Sequence, residues 1–243
     1  MRSLLSAEFL KLRTTKTMWG LLAAVVAMTA LSVSASVAGV GNLDLQSGEG
    51  IKAVLHVAGS GAIFVLMLGI IVTAGEYRQR TAVDTYLTTP RRTRVLITKL
   101  VASISTGVAY GAVATLVAIA TAAIAYRIKG LSLPLGTGLA WQILIGAVIY
   151  AALFGGLGAS IGSLIRNQIF AIILAIAVMI IAEPMIFVLS PEVGKWFPAA
   201  LGRSLVSDPG GDYVGPVTAG VLLFGYAVVI MCIAALVEGR RDA

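Results

Sequence analysis

The chain has few of the residues that build stapled folds, metal centres or catalytic sites. Among 243 residues there is one cysteine, Cys232, and one histidine, His56. A single thiol excludes a disulfide framework within the chain. Cys232 lies in an apolar run, the ordinary setting of a small buried hydrophobe. One His and one distant Cys are too few ligands for a zinc site. Charge is also scarce, at 12% of residues, about half of the usual ~25%. No G-x-x-x-x-G-K-[ST] phosphate loop occurs, and the sole Gly-Lys pair, Gly194-Lys195, is followed by Trp196. No nucleophile–base constellation is visible, so no catalytic residue is assigned and the chain does not read as an enzyme.

What is abundant is apolar surface. Hydrophobic residues make up 58% of the chain, and the mean hydropathy is +0.97. A soluble globule of this size cannot hide that much apolar surface, and disorder is excluded because burial has ample driving force. Lipid is the expected solvent. A span needs about 20 mostly apolar residues, and six runs qualify: 18–39, 53–74, 96–125, 139–163, 169–189 and 216–237. The expected fold is an all-α polytopic membrane protein, one transmembrane domain over residues 1–243. The third run is long enough to tilt or to extend past the bilayer.

The net charge of +7 is compatible with nucleic acid, but its placement argues for orientation. Thirteen of the 18 Lys and Arg fall in the segments on the side of the termini, and five on the other side. The positive-inside rule then puts both termini in the cytoplasm, and a cell-membrane location follows without a nucleic-acid partner. Residues 2–16 read as an amphipathic interfacial helix. Met1, Leu5, Phe9 and Leu12 recur at helical spacing, flanked by Arg2, Lys11, Arg13 and Lys16. A cleaved signal peptide fits less well, because the apolar run is longer than an h-region.

The polar segment from Gly75 to Arg94 is the largest on the inner side. Ala82, Val83, Tyr86 and Leu87 form one apolar stripe, Thr81 is placed to cap it, and Pro90 ends it. A short amphipathic helix there needs a surface for its stripe, either lipid or a groove on a soluble partner. A solvated basic loop that only sets topology is the plainer reading.

Several segments resemble the type-2 ATP-binding-cassette permeases. Glu76-Tyr77-Arg78, Thr81, Leu87, Pro90, Arg91 and Lys99 resemble that family's first cytoplasmic loop. Glu8-Phe9-Leu10-Lys11-Leu12-Arg13 with Lys16 and Trp19 resembles its start. Gly155-Gly156-Leu157-Gly158 through Gly162, Arg166-Asn167-Gln168 and Trp196-Phe197-Pro198 also fit. Arg80 stands where many relatives carry a small residue.

The resemblance implies a membrane subunit of an ATP-driven exporter. It would pair with a second permease copy, identical or related, and dock on separate cytoplasmic ATPase subunits that hold ATP and Mg. This chain itself would bind no cofactor. Glu76, Tyr77, Arg78, Thr81, Asp84, Tyr86 and Arg91 would meet the ATPase through a short coupling helix. The stretch between spans five and six would form an outer cap with short external or re-entrant helices. The second and fifth spans would face the substrate path, making Phe64, Met67, Phe170 and Met179 candidate lining residues, although such residues at helical spacing also serve packing.

Two further features are open in the sequence. Gly107 with Gly111, and Gly158 with Gly162, are G-x-x-x-G pairs suited to packing within one subunit or at a dimer seam. Glu183, followed by Pro184, is the one acid inside a predicted span. It can sit in solvent at the outer end of a shortened helix, line the path, or pair with a cation. The favoured substrate is hydrophobic or amphipathic, such as a drug, an antimicrobial peptide or a lipid-like molecule. The contrasting class is a non-transporting membrane sensor or assembly partner whose basic loops bind anionic lipid. A secondary transporter is disfavoured, since neither an inverted repeat nor paired broken helices are apparent.

Overall fold

The computed structural model describes residues 5–6, 10, 15–40, 45–78, 92–206 and 213–240, apart from the side chains at 77–78, 92–93 and 238–240. Every regular element among them is helical. The first span is α1, Lys16–Gly39. The second is α2, Gly48–Leu55, a 3-10 turn at His56–Gly59, and α3, Ala62–Arg78. The third is α4, Arg92–Ile128, and the fourth α5, Gly138–Leu164. The fifth is α6, Gln168–Ile176, a π turn at Ala177–Ala182, and α7, Glu183–Leu189. Short helices α8, Pro191–Gly194, and α9, Pro198–Val206, precede the sixth span α10, Pro216–Arg240. Six of these segments are long and apolar enough to cross a membrane. The predicted interfacial helix, residues 2–16, lies mostly outside the described residues: 5–6 and 10 are helical, Thr15 is the extended N-cap of α1, and Lys16 begins α1. The predicted coupling helix lies wholly outside them.

Local chemistry sets the helix ends. Ser47 accepts the Gly50 amide at 3.0 Å, Thr137 that of Ala140 at 3.4 Å, and Asn167 that of Phe170 at 3.2 Å. Each satisfies an amide the first helical turn leaves unpaired. Proline opens α8, α9 and α10, where its missing N–H costs nothing. The third span closes on a Schellman turn. Leu131 N–H donates to Tyr126 O and Gly130 N–H to Arg127 O, with Gly130 at φ 71°.

The fourth span is the centre of the bundle, with 72% of its apolar window buried; the second follows at 61%, and the other four lie between 17% and 28%. Without a hydrophobic drive in lipid, helices associate through close packing, which small residues permit. A Cβ on Gly107 would meet the Ala151 carbonyl at 2.6 Å, and one on Gly111 the Val148 Cα at 2.8 Å. Gly158 likewise faces the Leu66 carbonyl, and Gly162 the Ile70 carbonyl at 2.8 Å. Both glycine pairs thus sit at contacts within this chain, spans three and two against span four. Large apolar side chains such as Leu31, Leu116, Ile181 and Val221 stay exposed around the perimeter, as a lipid-facing surface requires. Trp19 is exposed at one end of the bundle, and Trp141 and Trp196 at the other, where an interfacial belt would run.

Two bonds fix the register of the first and third spans. Tyr110 Oη donates to Met18 O at 2.7 Å, and Lys129 Nζ to Val37 O at 2.6 Å. Both join residues 92 positions apart, so the helices run parallel without slipping. Allowing about one turn for side-chain reach toward the N-terminus, roughly three turns of α4 extend past the start of α1, some 18 Å at about 1.5 Å per residue. We call that end, which holds the end of α3 and the start of α4, the near face.

Candidate functional site

Two spans are interrupted at similar depth from the far face, the second at His56–Gly59 and the fifth at Ala177–Ala182. Irregular backbone inside a bilayer is tolerated where it is buried in protein or lines a cavity. Here it does both. A cavity of about 550 Å³ opens between the two interruptions, lined by residues of spans one, two, four and five, α9 and Tyr213. A smaller apolar cavity of about 280 Å³ lies beside it, between spans four, five and six. Met179, in the π turn, borders both.

Among the described residues, the polar side chains of the larger cavity are His56, Ser60, Tyr150, Arg203 and Tyr213. His56 Nδ1 bonds the Lys52 carbonyl at 3.0 Å, which makes Nδ1 the donor and leaves Nε2 toward solvent or ligand. The Ser60 hydroxyl is buried without a hydrogen-bond partner among the described residues. The Tyr150 ring lies directly over Gly202, next to Arg203, and packs edge-on against Phe154 with centroids 4.5 Å apart. That approach needs glycine at 202, because a Cβ there would enter the ring.

Arg203 is carried by α9, the only charged residue of a nine-residue helix whose other positions from Ala199 to Val206 are all buried. The helix is packed into the far half of the bundle: a Cβ at Gly146 would strike the Leu205 carbonyl, and Tyr226 Oη of span six donates to Trp196 O at 3.0 Å. Its N-terminal amides therefore need an acceptor where bulk water does not reach. Glu183 provides it. Its Oε2 accepts the Ala199 N–H at 2.7 Å, with the Ala200 amide beside it. The negative charge also suits the positive end of the helix dipole. Glu183 is 3% exposed, so it is not wetted at the end of a shortened helix. Its carboxylate borders the smaller cavity.

A family model described as ABC-2 family transporter protein matches residues 4–183, well over half of the chain. The chain belongs to the ABC-2 transporter family. No match was found among curated proteins. As an ABC-2 family protein with six candidate spans, it is a multi-pass membrane transporter protein and belongs in an ABC transporter that includes an ATPase. The matched region ends at Glu183, so α9 with Arg203 lies beyond it.

In this ABC-2 protein the five candidate path residues are dispersed. Met179 and Glu183 reach the cavities. Phe64 and Met67 are half-buried on α3, Phe64 against the cluster of Val25 and Tyr110. Phe170 is 56% exposed on the outside of α6. Of the candidate coupling residues, Glu76 is buried at the end of α3 in an ion pair with Lys99 of α4. Thr81, Asp84, Tyr86 and Arg91 lie outside the described residues, as do the side chains of Tyr77 and Arg78. The cavity residues Tyr150 and Arg203 were not singled out from the sequence. Of the cavity's two irregular walls the sequence marks the one on the fifth span, through the Glu183-Pro184 pair.

Proposed function

We propose that this chain is the permease subunit of an ABC exporter, paired with a second permease copy and driven by separate cytoplasmic ATPase subunits that bind ATP and Mg. The observation that carries this reading is the near-face end of spans two and three. Roughly three turns of α4 run beyond the start of α1, and the buried Glu76–Lys99 pair ties α3 to α4 where residues 79–91 connect them. A rigid two-helix end of this kind suits transmission of a partner's movement into the bundle. The near face carries most of the Lys and Arg, which supports a cytoplasmic near face and cytoplasmic termini by the positive-inside rule. In this reading Tyr77, Arg78, Thr81, Asp84, Tyr86 and Arg91 contact the ATPase, and Glu76 holds the loop's base. The far-half cavity, mostly apolar with a few polar groups, suits a hydrophobic or amphipathic substrate.

Co-purification from membranes in mild detergent, in the presence of candidate ABC ATPases, tests the reading. A stoichiometric ATPase subunit is expected, lost or reduced on Arg78→Ala with the permease still folded. Absence of any associated ATPase under every mild condition removes the exporter reading and leaves a lipid-binding membrane protein.

A further inference from the structure

The larger cavity has an electrostatic character that its apolar walls do not explain. Arg203 makes no hydrogen bond or ion pair among the described residues, although a guanidinium carries five donors. Ser60 adds a buried hydroxyl with no partner, and the Tyr150 phenol stands beside Arg203 over Gly202. Among the described residues lining this cavity there is no Asp or Glu. Glu183, the one acid of the fifth span, has one oxygen committed to the start of α9 and borders the other cavity; it feels the Arg203 charge without forming an ion pair with it. Apart from His56 and Tyr213, the rest of the described wall is apolar, including Met28, Ile63, Phe154 and Met179. Arg203 is exposed at the edge of this cavity, so an anionic group can reach it while an attached apolar body lies against the apolar part of the wall.

We infer that this cavity binds a single-chain amphiphile with an anionic head group, the head on Arg203, Tyr150 and Ser60 and the chain among Met28, Phe154 and Met179. The volume of about 550 Å³ lies within the usual range of ligand sites. The inference gives a substrate class to the proposed permease and rests on that reading for its meaning as transport. Binding itself does not depend on the ATPase.

The test is a fluorescence titration of the protein in phosphatidylcholine nanodiscs, with empty nanodiscs subtracted. The probes are 11-(dansylamino)undecanoic acid, its methyl ester and a dansyl alkylamine of equal length. The acid is expected to bind about tenfold or more tighter than the ester, the scale of a charge-assisted contact. Arg203→Gln should remove that preference and Arg203→Lys should keep part of it. Ser60→Ala should weaken the acid severalfold without touching the ester, a readout that stands if the Arg203 variants do not fold. Repeating the titration in nanodiscs containing phosphatidylglycerol separates sources. A weakened acid points to the bilayer's own anionic lipid as occupant, and unchanged affinity points to a free amphiphile. Equal binding of acid and ester, an unchanged preference in Arg203→Gln, or preference for the amine overturns the inference. If an ATPase associates but the acid shows no preference, only the substrate class fails. If the acid binds through Arg203 and no ATPase associates, only the permease reading fails.

Discussion

Glu183 Oε2 accepts the Ala199 amide at 2.7 Å across sixteen residues of chain, joining the fifth span to the first turn of α9. The bond explains why an acid is buried in a chain with so few charges. A helix that starts inside the bundle exposes amides that lipid cannot satisfy, and a carboxylate both accepts them and complements the dipole.

The first prediction separates hydrogen bonding from charge at this position. Glu183→Gln keeps an acceptor for Ala199 and should cost little stability. Glu183→Ala leaves buried amides unpaired, on the order of 1–3 kcal/mol for each. Chemical unfolding in micelles should therefore rank wild type near Glu183→Gln, with Glu183→Ala well below. Equal loss in both variants would mean that charge, not the acceptor, is what the site requires. Transport assayed on Glu183→Gln adds a functional reading: unchanged activity with every substrate tried removes Glu183 from the path.

The buried Glu76–Lys99 pair gives the second. Lys99 and Glu76 side chains are 4% and 9% exposed. Removing one partner of such a pair strands the other charge, at about 3–5 kcal/mol, whereas replacing both by apolar groups is often neutral. Lys99→Met alone should destabilise the protein more than Lys99→Met combined with Glu76→Leu. A double-mutant cycle with simple additivity would show that the two residues do not act as a pair.

Glycine substitutions provide the third. A Cβ at Gly158 collides with the Leu66 backbone, while one at Gly225 meets nothing within 4 Å. Gly158→Ala should lower the unfolding temperature, with an overpacking cost of about 1–3 kcal/mol. Gly225→Ala should be neutral or slightly stabilising, since alanine restricts the unfolded chain. The reverse order would contradict the packing of span two on span four.

The six spans were legible because bilayer thickness dictates the length of each apolar run, and that signal survives without any tertiary information. Their ends were less so. The second helix begins at Gly48 rather than near 53, because Ser47 caps it and Glu49 pairs with Lys52 at 2.9 Å, local polar contacts that a hydropathy run does not register. Pro184 announced a break in the fifth span, and the irregular turn falls just ahead of it. Paired interruptions in spans two and five were not anticipated, since Gly59-Ser60-Gly61 reads as mere thinning of a helix. Short helices between spans five and six were implied by the resemblance, and α8 and α9 stand there; the bounds of α9 were hidden because its apolar stretch is too short to resemble a span. The cavity was hidden because Tyr150 and Arg203 meet only through the packing of α9 on the fourth span, with no spacing rule between them.

The central claim is that a separate ATPase drives this chain through the loop joining α3 to α4. The direct measurement is ATP turnover by the associated ATPase subunit in proteoliposomes, with wild-type permease and with Arg78→Ala. The account predicts that wild-type permease changes the turnover rate and that Arg78→Ala abolishes the change while the protein stays folded. Turnover that is the same with wild type, with the variant and with empty liposomes would contradict it.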